Sequence, residues 1–440
     1  MKTINIKTLL IIIGFGTLQS GFAQELITPQ QAIELTLSNN YGIKISNQSV
    51  ELAENNTSLL NTGFLPTLSA NAGTTFNIDN TEVEFSDGRV TTLNGAESSR
   101  YNAGLNLNYT LFDGFGRSYN YKRLKEQYNL SELQARETIE NTIIQLFTVY
   151  YDVAKFSENL DAQNETLLIS KDRLTRSEYQ FEYGQNTKLV VLNAQVDINN
   201  DSISIINTKQ QLNNTKRNLA FILGSSSNDF DVSTAFILNE LLDKSALLEK
   251  TKTKNIALLQ VEKNIDINEL TIKANRSGYL PTVGLVGTYG WSKNNNNAAS
   301  FAASSTNTGL SGGINLSWNL FDGGTTITQV KNAKINLETQ KLQKEQLLLD
   351  IERNFNNAWD DYINKLLIYK VQSENIDTAK SNFERTEEKF KIGQVNSIEF
   401  RQAQLNLLNA EVLKTQAKYD AKLSELVVLQ LSGELLNTGF

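Results

Sequence analysis

The chain is written twice, and that repetition limits what it can fold into more than any other feature. Phe64-Leu65-Pro66-Thr67 returns as Tyr279-Leu280-Pro281-Thr282, and Leu111-Phe112-Asp113-Gly114 as Leu320-Phe321-Asp322-Gly323. Tyr183-Gly184-Gln185 returns as Ile392-Gly393-Gln394, and Leu223-Gly224 as Ser432-Gly433. The last three pairs share one offset of 209 residues. The proline pair is offset by 215, so the first copy holds six extra residues between its proline and its Phe-Asp-Gly. Chance similarity does not preserve order and spacing in this way. The expected organisation is a first repeat over 24–224, a joining segment over 225–240, a second repeat over 241–433 and a tail over 434–440.

Glycine and proline punctuation sets the element lengths. Between Gly116 and Gly184 lie 67 residues with neither Gly nor Pro, and between Gly324 and Gly393 lie 68. Apolar residues recur there at helical spacing, as in Ile139, Ile143, Leu146, Phe147 and Tyr150, or Leu347, Leu348, Ile351, Phe355 and Trp359. At 1.5 Å per residue each predicts a helix of roughly 100 Å. The segments Gly184–Gly224 and Gly393–Gly433 each enclose 39 residues, and further helices are expected over about Pro29–Thr62 and Leu241–Ser277. Two short helices end to end match one long antiparallel helix, with the joining segment near mid-height. Thr28, Pro29 and Gln31 form the N-cap, first-turn proline and capping partner of the first of these.

Four segments alternate with period two, the pattern of a sheet whose faces meet different surroundings. They lie at about 64–80, 99–112, 281–292 and 309–321. In the first, Leu68, Ala70, Ala72, Phe76 and Ile78 alternate with Ser69, Asn71, Gly73 and Asn77. The polar sides carry Asn, Ser, Thr and Gly with no mid-strand Lys or Glu, and the lengths suit tilted membrane strands. Tyr101, Tyr109, Trp291 and Trp318 suit an interfacial girdle. A soluble half-buried sheet would show the same period, but it leaves the uncharged polar face unexplained. Unpaired strand edges are not tolerated in lipid, and single-chain barrels start at eight strands. Four strands must therefore share a barrel with sister copies; two would give eight strands and three twelve, and the long helices favour three.

Export fits this picture. Lys2 and Lys7, the apolar Leu9–Phe15 and the small-residue site Gly21-Phe22-Ala23 read as a signal peptide over 1–23. Its removal takes the formal charge from −7 to −9, which argues against a nucleic-acid partner. With no His and no Cys, the Ser-His-Asp route, thiolate metal sites and disulfides are excluded, and no cofactor or metal is expected. The many Asp and Glu lie at helix-surface spacing and form no defensible acid–base pair. At the strand-to-helix turns, Phe112-Asp113-Gly114 and Phe321-Asp322-Gly323 read as compact caps, Asp accepting orphan amides and Gly relieving the backbone. Gly184 and Gly393 read as left-handed helix ends.

Taken in order, the paired Leu-Pro-Thr entries, Leu-Phe-Asp-Gly turns and Gly-containing helix turns resemble the outer-membrane efflux protein family, the TolC-like channels, over essentially the whole mature chain. Thr110 and Asn319 stand where that family often has proline before Leu-Phe-Asp-Gly. The resemblance implies a mainly α protein with a membrane β-barrel: a homotrimer whose twelve-stranded barrel continues into a periplasmic α-helical barrel. It implies an outer-membrane duct that extends into the periplasm and serves a tripartite efflux or type I secretion system, passing substrates from a periplasmic adaptor and an inner-membrane transporter. By the same resemblance, Tyr183, Gly184, Gln185, Ile392, Gly393 and Gln394 would contact the adaptor. Glu399 and Gln402 would take the positions of an acidic constriction, with Gln402 leaving a single ring of Glu399 carboxylates. The alternative class is a structural or adhesive helical rod of the envelope, which gives no role to the four strands.

Overall fold

The structure is a computed structural model that describes residues 25–235, 238 and 242–437. The expected signal peptide, parts of the joining segment and the end of the tail lie outside the described residues. The chain divides into two compact units. One comprises the chain up to Ile45, Arg136–Asn255 and the chain from Asp350; the other comprises Ser46–Ala135 and Ile256–Leu349.

Two helices of equal length dominate, α3 (Gly116–Glu182) and α7 (Thr325–Lys391), each of 67 residues. They run unbroken because nothing between their bounding glycines removes an amide or loosens the backbone. After each comes a shorter helix, α4 (Lys188–Leu223) and α8 (Ser397–Leu431). In the first unit these four share a core. Ile143, Leu146, Phe147 and Tyr150 of α3 and Phe355 and Tyr362 of α7 are buried, with Leu219 and Leu223 of α4 and Leu426 and Val428 of α8. The hydroxyl of Tyr150 donates to the carbonyls of Ile27 at 2.8 Å and Ser233 at 3.1 Å. It thereby ties down a parallel pair of short strands, β1 (Glu25–Ile27) and β4 (Phe230–Val232), which joins the start of the described chain to the segment between the repeats. Burial pushes the Tyr150 phenol well above its ordinary range, so it stays a donor.

The other halves of the broken rods contain an extra break. The single helices expected over Pro29–Thr62 and Leu241–Ser277 are instead α1 (Pro29–Asn39) plus α2 (Tyr41–Asn56), and α5 (Lys244–Lys254) plus α6 (Ile256–Arg276). Thr28 and Gln31 form the expected capping box at the start of α1. The breaks fall at Asn40 and Asn255, whose ψ of 126° and 128° leave the helical region. The Asn40 amide donates to Ile222 O of α4 at 2.9 Å, and the Asn255 amide to Leu431 O of α8 at 3.1 Å. Each therefore supplies a donor to a last-turn carbonyl that its own helix leaves orphaned. Gly224 and Gly433 end those helices at φ +66° and +69°, with their backbones pressed against Asn39 and Lys254.

In the second unit an antiparallel sheet has the order β2 (Thr67–Glu84), β3 (Val90–Phe112), β5 (Thr282–Asn295), β6 (Ser304–Ser317). These bounds differ from the expected ones. The β2–β3 pair runs on beyond residues 80 and 99, whereas β6 starts at Ser304 and stops at Ser317 rather than 321. It stops where the Trp318 indole N–H turns to donate to Tyr279 O at 3.1 Å. Leu68, Phe76, Ile78, Leu310, Ile314 and Leu316 on the two outer strands are exposed. On the polar side, Asn71 accepts from Asn106 at 2.6 Å, and Asn106 in turn accepts from Thr288 at 3.2 Å, a row of side chains crossing three strands. Among the described residues neither β2 nor β6 has a strand on its outer side.

A Cβ on Gly224 or Gly433 would lie 2.6 Å from a carbonyl oxygen of the opposing helix end, whereas one on Gly184 would meet open space. Gly184→Ala should cost about 1 kcal/mol, the left-handed penalty alone. Gly224→Ala and Gly433→Ala should cost more than about 2 kcal/mol, because the backbone must also move. Thermal unfolding of the three variants checks the order.

Candidate functional site

The strand-to-helix turns build N-terminal caps. Asp113 accepts the Arg117 amide at 2.8 Å and its guanidinium at 3.2 Å, while that guanidinium also donates to Gly63 O at 2.8 Å and lies over the Phe64 ring. Gly114 takes φ +67° where a Cβ would meet Ser277 O at 2.7 Å. Phe112 packs edge-on against Phe115. In the second copy, Asp322 accepts the Thr326 amide at 2.8 Å, the Thr326 hydroxyl at 2.5 Å and the Gly324 amide at 3.0 Å. The Thr326 hydroxyl and these amides hold its carboxyl below the ordinary range. Gly323 has φ +68°, and Phe321 is exposed. Both aspartates accept the backbone amide four residues on, which is the chemistry of a helix cap.

At the other ends of α3 and α7 the chain reverses at Gly184 (φ +70°) and Gly393 (φ +79°). The Gln185 amide donates to Gln180 O at 2.7 Å and the Gln394 amide to Lys389 O at 2.8 Å, with each glycine amide bonded one turn back. These are matching left-handed helix ends of the Schellman type. Tyr183 and Ile392 stand exposed beside them. Glu399 and Gln402 are also exposed, but they make local bonds. The Asn396 amide donates to the Glu399 carboxylate at 3.1 Å, the Glu399 amide returns to Asn396 Oδ1 at 2.9 Å, and Gln402 donates to Asn406 at 2.8 Å. Glu399 is thus the capping-box partner of α8.

Close to these turns lies a buried polar network that the sequence reading missed. The Arg401 guanidinium of α8 grips Asp201 of α4 with both nitrogens, at 2.6 and 3.0 Å. Ser170 of α3 donates to the same carboxylate at 2.7 Å, and Gln404 bridges to Thr166 O at 2.8 Å. One turn nearer the tip, Arg173 of α3 pairs with Asp197. Arg173 and Asp201 are buried. The available signal was Asp201 itself: it occupies the buried face of α4 in line with Ala194 and Thr208, seven residues to either side. A charge on such a stripe needs a partner.

Further along α3, α7 and α8 a cavity of about 380 Å³ is lined by Glu165, Thr166, Lys380, Gln404, Glu411 and Lys414, among others. Burial, and then the charge of Glu165, raise the Glu411 carboxyl above its ordinary 4.5. Among the described residues no group of three or more metal-ligating side chains occurs, and no helix is long and apolar enough to cross a membrane.

Comparison with known proteins places this geometry. The outer membrane efflux protein family matches the chain twice, over residues 32–225 and 247–434, and the chain belongs to that family. It is 24% identical over 347 residues to outer membrane protein TolC of Vibrio cholerae, covering 77% of this chain and 78% of that one. It is 19% identical over 420 residues to outer membrane efflux protein BepC of Brucella suis, covering 96% and 88%. The fold is that of the Campylobacter jejuni CmeC outer membrane channel, with a TM-score of 0.74 at 18% identity over 92% of this chain and 86% of that one. The chain is accordingly an outer-membrane efflux channel protein of the Gram-negative envelope and not an enzyme.

Because the folded protein holds the Glu411 proton more tightly than the unfolded chain does, ionising Glu411 at neutral pH lowers stability. That loss is recovered as pH falls through the raised value, and the recovery is complete below 4.5. Glu411→Gln should therefore raise the thermal midpoint at neutral pH, and the gain should vanish in acid below 4.5. A pH series of melting curves reads both arms.

Proposed function

We propose that three copies of this chain seal one twelve-stranded barrel in the outer membrane, continuous with a helical barrel in the periplasm, and that this assembly is a passive exit duct. The observation that carries the reading is the pair of unpaired margins on β2 and β6, beside exposed Leu68, Phe76, Ile78, Leu310, Ile314 and Leu316. In lipid each bare N–H or C=O would cost several kcal/mol, so β2 of one copy pairs with β6 of the next. The helices also leave apolar surface uncovered. Leu189, Leu192, Val196, Ile203 and Ile206 form an exposed stripe on α4, and Ile335, Leu342 and Leu349 repeat every seven residues on α7. Each stripe is left for a neighbouring copy to cover, and head-to-tail contacts of that kind close into a ring.

On this reading the two repeats, 24–224 and 241–433, each give two strands and one long and one broken rod to the wall, with 225–240 joining them and 434–440 as a tail. The exposed turns at Tyr183-Gly184-Gln185 and Ile392-Gly393-Gln394 meet a periplasmic adaptor, and energy comes from an inner-membrane transporter. A purely adhesive rod leaves the apolar, unpaired sheet margins without a purpose.

Outer-membrane extracts should yield a trimer that survives detergent without boiling and dissociates on heating, and that trimer should conduct in planar bilayers. A soluble monomer without pore activity would refute the duct. Glu399, exposed one turn from the tip, is proposed to ring the constriction with three carboxylates. Glu399→Gln should then lower the cation preference measured by reversal potential, with Asn396 still capping α8; an unchanged reversal potential dismisses the ring.

A further inference from the structure

The β2–β3 pair outgrows the rest of the sheet. Pairing of β3 with β5 ends at Ser99 and Asn295, but β2 and β3 continue together as far as Glu84 and Val90. This free ribbon is about 25 Å long at ~3.4 Å per residue. A bulge interrupts it, with Asn80 of β2 facing Asn94 and Gly95 of β3. Gly95 is left-handed at φ +67°, and its amide donates to Asn80 Oδ1 at 2.9 Å.

The bulge reverses the polarity of the strands. Below it the even-numbered residues of β2, Leu68 to Ile78, are the apolar ones and the odd-numbered Ser69, Asn71 and Asn77 the polar ones. Above it the odd-numbered Thr81 and Val83 carry the apolar character and the even positions are Glu82 and Glu84. On β3 the extra residue shifts the alternation, so Leu93 pairs with Thr81 and Thr91 with Val83. Thr81, Val83, Thr91 and Leu93 are half-buried against one another, while Glu82, Glu84 and Thr92 are exposed. The ribbon thus has its apolar face on the side where the sheet below presents Asn71, Asn106 and Thr288, which in the proposed barrel is the lumen.

Resting on the three-copy reading, we propose that the ribbons lean inward over the outer mouth and pack their Thr81–Val83–Thr91–Leu93 faces against those of the neighbouring copies. This makes an apolar constriction at the exit. Length permits it: twelve strands ~4.8 Å apart and tilted by ~40° enclose a radius of about 12 Å, half the length of the ribbon. Charge selects the orientation, because the acidic faces of Glu82 and Glu84 repel one another and can only turn outward to water. A ring of apolar side chains in a polar lumen resists wetting and slows ions until cargo parts it.

The chain contains no Cys, so single-cysteine variants report on this directly. Val83→Cys and Glu84→Cys would each be oxidised in outer-membrane preparations, with trimer assembly scored separately on unboiled gels. The expected result is a disulfide-linked dimer on boiling for Val83→Cys and monomer alone for Glu84→Cys. Equal crosslinking of both variants, or of neither within an intact trimer, overturns the inward packing while sparing the duct. Absence of the trimer in the unmutated chain overturns both. Leu93→Asp should assemble normally and give a larger single-channel conductance; an unchanged conductance overturns the constriction.

Discussion

Backbone hydrogen bonds at the margins of the β2–β3–β5–β6 sheet are the constraint on which everything else turns. Inside the sheet the strands are paired across three interfaces, from Thr67↔Asn108 to Thr282↔Ser317, with register breaks at Asn80 and Leu111. At its two margins the ladder stops while apolar side chains continue outward. A soluble protein blunts such edges with charge, and a membrane protein must close them. Between Leu68 and Ile78 of β2 and along β6 no charge blunts the edge, which fits the closure proposed above. In the proposed ring the helices must also touch laterally, and the exposed stripes on α4 and α7 are surfaces left for a neighbouring copy to cover.

Duplication lets one mechanical solution serve twice. A broken rod brings two helix ends face to face, and each end has carbonyls or amides without intrahelical partners. Asn40 and Asn255 answer this in the same way, each reaching the last turn of the opposite helix. Gly224 and Gly433 allow the close approach, with the backbone of Asn39 or Lys254 directly against them. The repeats are not identical, however. The first Phe-Asp-Gly turn is packed under Phe64, Phe115 and Arg117, whereas Phe321 in the second lies open. The first hairpin alone is long enough to carry the bulged ribbon.

What could be read from residues alone follows the range of the forces involved. The 67-residue helices were legible because a run without Gly or Pro and with a 3.6-residue apolar period has one cheap conformation. The capping box at Thr28 and the left-handed turns at Gly184 and Gly393 are local chemistry and were legible too. The breaks at Asn40 and Asn255 were not, since the donor of each is satisfied by a carbonyl 182 or 176 residues away. Glu399 shows the reverse case: the family resemblance assigns it to a proposed constriction, yet the nearest claim on its carboxylate is the amide of Asn396, three residues back. The end of β6 at Ser317 depends on the Trp318 indole finding Tyr279, a contact that alternation cannot announce.

The buried network near the tip turns is best understood as a device for register. Long apolar stripes are nearly indifferent to a slip of seven residues, because each position meets a similar neighbour. Arg401 and Asp201 are not indifferent. Their two parallel bonds, with Ser170 on the same carboxylate and Gln404 reaching Thr166 O, are all made in only one alignment of α3, α4 and α8. Any slip would leave buried charges unpaired, at a cost of roughly 3 kcal/mol or more. Arg173 and Asp197 repeat the same test one turn nearer the tip, joining α3 to α4. The rods can therefore be long without being ambiguous: apolar stripes provide the cohesion, and two ionic contacts beside the turns decide which turn of one helix meets which turn of the next.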